Sequence, residues 1–295
     1  MTDLKRALSD TADNVEAILD EVLSPQGAPE QRIYSAMRHT TLGGGKRLRP
    51  FLVTQSASLF GVPEMNALRT GAALELIHCY SLVHDDLPAM DDDDLRRGKP
   101  TVHVAYDEAT AILVGDALLT LAFEVVAQPE THDDATVRIE LVDMLARASG
   151  ARGMVGGQMI DLEAEKKDLD LKEITLLQQL KTGALIGYGC ESGAILGGAS
   201  IEQRQALISY ASDLGLAFQI ADDLLDVEGS VEETGKAVGK DEDAGKETFV
   251  SLLGVDGARD EAKRIADRAV SQLSIFDAKA DLLRATAEFV VVRRN

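Results

Sequence analysis

Tryptophan is absent from this 295-residue sequence, and aromatic side chains make up only 4% of it. Ala, Leu, Glu, Asp and Lys dominate instead, a composition that favours helices. Cysteine is scarce too, with Cys79 and Cys190 alone. Two thiols exclude a thiolate zinc site and argue against a disulfide framework, which suits a reducing cytoplasm. Cations are outnumbered, 30 Lys and Arg against 50 Asp and Glu, for a net charge of -20. That balance argues against nonspecific binding to nucleic acid or anionic membrane, and an anionic substrate would need a local basic site.

No long uninterrupted apolar run is present. The most apolar stretch, Ala111 to Ala127, is broken by Gly115, Asp116, Thr120 and Glu124, and is expected to be a buried helix rather than a bilayer span. The N-terminus, Met1-Thr2-Asp3-Leu4-Lys5-Arg6, lacks the apolar core of a signal peptide. It leads into an amphipathic pattern through Val15, Ile18, Leu19, Val22 and Leu23, read as a first helix. Neither a composition shift nor a linker rich in Ser or Pro divides the chain, so a single helical domain over 1–295 is expected.

What is present is apolar spacing of three and four residues between turn signals such as Gly61-Val62-Pro63 and Gln128-Pro129. It predicts helices over roughly 4–23, 30–42, 47–60, 64–86, 104–127, 134–150, 152–164, 171–196, 201–227, 257–272 and 277–291, with no strands. The polar stretch Glu228 to Gly245, with glycines at 229, 235, 239 and 245, is expected to be a mobile loop.

Three constellations stand out. Asp85-Asp86-Leu87-Pro88-Ala89-Met90-Asp91 follows the apolar run Ala72 to Val83 and continues as Asp92-Asp93-Asp94. A solvated loop is the bland explanation. Yet acids so close repel unless a counter-charge relieves them, and a hard, oxygen-liganded cation such as Mg²⁺ suits. Residues i and i+6 face different ways on an ideal helix, so Asp85 and Asp91 can converge only if Pro88 breaks it. The second acid cluster, Asp222-Asp223-Leu224-Leu225-Asp226, also ends an apolar helix. Its Asp222 and Asp226 share a helix face at i, i+4. Helix C-termini disfavour anions, a penalty that bound metal would offset.

The third is basic: Gly43-Gly44-Gly45-Lys46-Arg47-Leu48-Arg49, with Arg96-Arg97 after the first acid cluster. Glycines admit backbone amides close to a phosphate, and Lys and Arg add charge-assisted hydrogen bonds. The segment lacks Walker spacing, having no Ser or Thr after the lysine. A basic surface turn is the simpler explanation of the segment taken alone.

Taken together, these motifs resemble those of the trans-polyprenyl diphosphate synthases, bacterial farnesyl diphosphate synthases above all. The resemblance runs from Gly43 through His78, then Ser81 to Asp92, Arg96 to Thr101, Gly156 to Leu162, Lys181-Thr182-Gly183, Phe218 to Asp226, Gly235-Lys236 and Gly239-Lys240-Asp241. Val250, where Pro is common, and the ending Arg293-Arg294-Asn295 depart from the pattern.

The resemblance implies an all-α isoprenoid synthase bundle around a central cavity, working as a cytoplasmic homodimer. It implies that isopentenyl diphosphate attacks C1 of an ionised allylic diphosphate, dimethylallyl or geranyl, giving farnesyl diphosphate. Asp85, Asp91 and Asp222 would hold three Mg²⁺ ions, which Mn²⁺ could replace, with Asp86, Asp223 and Asp226 in support. Arg96, Lys181 and Lys236 would grip the allylic diphosphate, and Lys46, Arg49, His78 and Arg97 the isopentenyl diphosphate. Thr182 and Gln219 would turn oxygen dipoles toward the developing carbocation. Tyr80, with Ser81, would floor the hydrocarbon pocket about 7.5 Å down the helix from Asp85. Other readings are a geranylgeranyl diphosphate synthase, a class I terpene cyclase, for which the basic segment would have no purpose, and a noncatalytic subunit of a prenyl synthase.

Overall fold

The computed structural model describes residues 2–24, 27, 30–164, 167, 169–228 and 247–292. Lys236, the stretch from 229 to Gly245, and Arg293-Arg294 therefore lie outside the described residues. The described chain is all-α, as its composition predicts: α1 (Thr2–Val22), α2 (Gln31–Thr41), α3 (Leu48–Ser58), α4 (Glu64–Asp85), α5 (Val102–Ala105), α6 (Glu108–Ala127), α7 (Ala135–Ser149), α8 (Met154–Ala164), α9 (Leu171–Gln178), α10 (Ala184–Leu196), α11 (Ile201–Glu228), α12 (Phe249–Gln272) and α13 (Asp281–Val292).

Helix α4 is the axis of the bundle. Its residues from Ala67 to Ile77, with Cys79, Tyr80 and Val83, are buried on all sides, as expected of a helix that other helices surround. It packs against α6, α3, α10 and α1, while α10 packs in turn on α3 and α11. The far side is built by α11 against α12 and α13. Tyr210 ties α11 to α13, its buried hydroxyl donating to the Leu283 carbonyl at 2.6 Å.

The structure departs from the expected elements in five places. A two-stranded hairpin pairs β1 (Leu95–Arg96) with β2 (Lys99–Pro100). Arg97 and Gly98 form its loop, both at positive φ (53° and 74°), the conformation a two-residue hairpin requires. The helix expected over 104–127 is split, because Asp107 caps α6 by accepting from the Thr110 amide at 2.7 Å and so ends α5 before it. The helix expected over 171–196 carries a five-residue π-helical turn, Gln179–Gly183. Helix α12 starts at Phe249, eight residues before the expected 257, behind a Thr248–Ser251 capping box, with a non-helical kink at Gly254. Finally, α6 is long and apolar enough to cross a membrane by length and composition. Ala111, Val114, Leu118, Ala122 and Val125 bury one face of it, while Ile112 and Leu113 are exposed on another.

Candidate active site

The first acid cluster sits where α4 stops. Proline at 88 cannot donate a helical hydrogen bond, and the chain turns back through Leu87 N to His84 O and Met90 N to Leu87 O. This turn closes with the Asp91 amide donating to the Asp85 carbonyl at 2.8 Å, so the two positions meet as the proline break requires. Asp85 is half-buried, and desolvation pushes its carboxyl up to about 6, with Lys181 opposing and Asp91 adding to the rise. Asp86 turns elsewhere. It is buried and accepts from Arg96 Nε at 2.9 Å and from Arg96 Nη2, so both residues are first of all partners of each other.

Lys181 and Thr182 lie in the π-helical turn. Wider turns of this kind re-aim side chains and recur at functional sites. A close approach accompanies it here: a Cβ on Gly157 of α8 would fall 2.2 Å from the Lys181 backbone nitrogen. Only glycine lets α8 lie against this turn. Asp161, one turn further along α8, pairs with Lys181 Nζ at 2.8 Å.

The basic segment folds as a loop in which Gly43, Gly44 and Gly45 all take positive φ, open to glycine with little strain. The hairpin lays Arg97 on this loop, its Nη1 donating to the Gly44 carbonyl at 2.6 Å. Arg47 also stands at positive φ, 46°, as the N-cap of α3. Its buried guanidinium donates to Glu75 Oε1 at 2.7 Å and to the Thr41 carbonyl at 2.5 Å. Burial pushes the Arg47 guanidinium down, but the Glu75 charge and hydrogen bond outweigh it, so the net direction is up.

Two cavities open beside these groups. One, of about 420 Å³, is lined by Tyr80, Ser81, His84, Asp85, Lys181 and Thr182, with Met90, Met154, Val155, Met159 and Leu162 as its apolar wall. The other, of about 520 Å³, is lined by Gly43 to Arg49, Glu75, Arg97, Ile186 and Phe218. Arg49 and His78 line both, and so form the partition between them. Burial pushes the Arg49 guanidinium down, and its buried Nε has no hydrogen-bond partner. His78 is held well below 6.5 by burial and by Arg49, Arg97, Arg47 and Arg96, so its imidazole is neutral.

The second acid cluster ends α11. Asp222 accepts from Gln219 Nε2 at 3.3 Å, and its charge reaches Arg49 in the partition. Asp223 is buried and accepts from the Phe249 amide at 2.9 Å, fixing the start of α12. Asp226 is half-buried on the same helix. No group of three His, Cys, Asp or Glu side chains closes on a common point among the described residues. The donor set nonetheless suits a hard cation, since Asp85 and Asp91 offer oxygen ligands only.

The segment Gly156 to Leu162 carries part of the resemblance, but sequence patterns assign no role in it to the apolar wall residues Met159 and Leu162 or to Gln158, whose buried Nε2 has no partner in the same cavity. Periodicity marks an apolar face without telling core from cavity wall. Asp161 does carry a signal in its place within Gly156-Gly157-Gln158-Met159-Ile160-Asp161, a glycine pair followed by a lone acid on an otherwise apolar helix.

The chain is similar to known proteins over most of its length. The family model for polyprenyl synthetase matches residues 30–285. The farnesyl diphosphate synthase of Escherichia coli is 43% identical over 94% of this chain and 94% of its own length. The geranylgeranyl diphosphate synthase of Cyanophora paradoxa is also 43% identical, over 92% and 90%. Among solved structures, an FPP/GFPP synthase from Zymomonas mobilis superposes with a TM-score of 0.91 at 49% identity, covering 98% of this chain and 99% of that one.

Proposed function

We propose, from the premise that the chain belongs to the polyprenyl synthetase family, that it is a prenyltransferase joining isopentenyl diphosphate to dimethylallyl and geranyl diphosphates to give (E,E)-farnesyl diphosphate. One observation carries the proposal: two adjoining cavities of opposite character share Arg49 and His78 as a wall. A bimolecular condensation needs two substrates held with their reacting carbons in line across such a partition.

The larger, basic cavity suits the diphosphate that must not ionise. Lys46, Arg49 and Arg97 line it and would bind that diphosphate by charge-assisted hydrogen bonds, with neutral His78 beside them. The other cavity suits the allylic partner, with its diphosphate toward Asp85 and Lys181 and its hydrocarbon along Met154, Val155, Met159 and Leu162. Asp85, Asp91 and Asp222, with Asp226 in support, would hold Mg²⁺, which supplies positive charge against the departing diphosphate. Asp86 serves by fixing Arg96 at the edge of that site, and Lys236, outside the described residues, would bind the allylic diphosphate. Thr182 lines the allylic cavity and Gln219 donates through Nε2 to Asp222; their side-chain oxygens would present dipoles to developing positive charge. The departed diphosphate takes the proton lost on coupling. Of the carboxylates lining the two cavities, Asp85 would hold metal and Glu75 pairs with Arg47.

Tyr80 is 6% exposed and lines the allylic cavity, which favours a fifteen-carbon over a twenty-carbon product. The exposed apolar residues Ile112 and Leu113 of α6 suit a homodimer interface, and the chain is assigned to the cytoplasm as one polyprenyl synthetase domain. Incubation with isopentenyl diphosphate, geranyl diphosphate and Mg²⁺ tests the proposal by product chromatography. A fifteen-carbon allylic diphosphate is expected, and absence of any elongated product refutes it.

A further inference from the structure

Gly115 lies on α6 and touches the wall of the allylic cavity through one imidazole. A Cβ at 115 would fall 2.0 Å from His84 Nε2 and 2.4 Å from Cδ2, inside the ring's van der Waals surface. The ring occupies that gap because Nε2 reaches the Ile112 carbonyl on the same helix, at 3.1 Å. A carbonyl only accepts, so Nε2 carries the proton. On its other side His84 meets Tyr80 edge to face, with ring centroids 5.9 Å apart and an interplanar angle of 77°. Both rings line the 420 Å³ cavity.

We infer that Gly115 and His84 set product length: glycine at 115 lets the His84 ring withdraw into α6, and the withdrawn ring fixes where Tyr80 stands in the cavity. This inference rests on the prenyl-elongation function proposed above. The contact atoms belong to a planar ring on a short tether, anchored to a backbone carbonyl, so the ring cannot slide aside as a lysine tip could. Any side chain at 115 therefore drives the imidazole toward Tyr80 and shortens the space left for hydrocarbon. Removing the imidazole does the reverse, leaving Tyr80 without its edge-on neighbour and enlarging the cavity.

Product distribution compared at matched conversion tests this directly, because the amount of folded enzyme then drops out of the ratio. Overpacking of this size is worth enough to change the ratio of ten-carbon to fifteen-carbon product roughly fivefold. Gly115→Ala is expected to raise that ratio, and His84→Ala to lower it with twenty-carbon product appearing. Adding Gly115→Ala to His84→Ala is expected to change nothing further, since the new methyl then has no ring to displace. Should Gly115→Ala alone fail to fold, the His84→Ala and double variants still decide between the two outcomes. Unchanged ratios in His84→Ala, or a Gly115→Ala effect that persists without His84, overturn the inference while the unmodified enzyme still makes farnesyl diphosphate. Failure of the unmodified protein to elongate any substrate instead overturns the proposed function, and this inference with it.

Discussion

Arg47 and Glu75 form an ion pair whose side chains are 1% and 2% exposed, at the wall of the basic cavity. Replacing Arg47 by Met leaves the Glu75 carboxylate buried without its direct partner, a change that costs about 3–5 kcal/mol. Against a total stability of about 5–15 kcal/mol, that loss is large enough to read in urea unfolding followed by far-ultraviolet circular dichroism, as a midpoint roughly 1 M lower. The pair has a second task that stability alone does not capture. Arg47 holds an unfavourable positive φ and also binds the Thr41 carbonyl, so it pins the loop that carries Lys46 and leads into Arg49. A double variant, Arg47→Met with Glu75→Leu, removes both charges, and such replacements are often neutral or stabilising. It is expected to recover most of the unfolding midpoint while KM for isopentenyl diphosphate stays raised about tenfold, a loss of about 1.4 kcal/mol, with KM for geranyl diphosphate little changed. An unaltered midpoint in Arg47→Met refutes the energetic claim. A normal KM in the double variant refutes the positioning claim.

Two further outcomes follow from the same partition and its neighbours. His78 is held well below 6.5 in the folded chain by burial and the surrounding arginines, so the unfolded chain binds a proton there that the folded chain does not. Stability from this group is complete above about pH 6.5 and falls by up to about 1.4 kcal/mol per unit as pH drops below it. Comparing unfolding of wild type with His78→Gln between pH 7.5 and 5 is expected to show a shallower acid loss in the variant, and parallel curves contradict the assignment. Asp161→Asn keeps the shape of the group but removes the charge 2.8 Å from Lys181 Nζ. It is expected to lower kcat about tenfold with little change in the unfolding midpoint, the scale of a lost charge-assisted hydrogen bond; an unchanged kcat refutes a role for this pair in catalysis.

The helices were largely legible because their apolar faces recur at helical spacing, and α4 in particular combines a long apolar run with a proline three residues past its end. The turn that brings Asp91 back to Asp85 was legible for the same reason: Pro88 forbids continuation. The π-helical turn at Lys181-Thr182 was not, because nothing local demands it; its companion, Gly157, lies more than twenty positions away on α8. The hairpin at 95–100 has two residues per strand, too few for alternation to register, although Arg97-Gly98 is a turn signal. The partner of each charge was the least legible feature of the site. Sequence placed Asp86 beside a metal and Arg96 on a diphosphate; the fold adds that the two pair with each other, a contact set by distance in space. Likewise, the residues lining the apolar cavity share the composition of ordinary core, and only the space they leave empty marks them.

The proposed division of labour separates a largely apolar cavity, where the allylic diphosphate would meet Mg²⁺ at Asp85, from a basic cavity that would bind isopentenyl diphosphate without metal. Equilibrium binding of isopentenyl diphosphate and of a nonreactive allylic diphosphate analogue, each with Mg²⁺ and with chelator, tests it most directly. Isopentenyl diphosphate is predicted to bind in both conditions, and the allylic analogue to lose most of its affinity when Mg²⁺ is withdrawn. Equal dependence of the two ligands on Mg²⁺, or independence of both, contradicts the account.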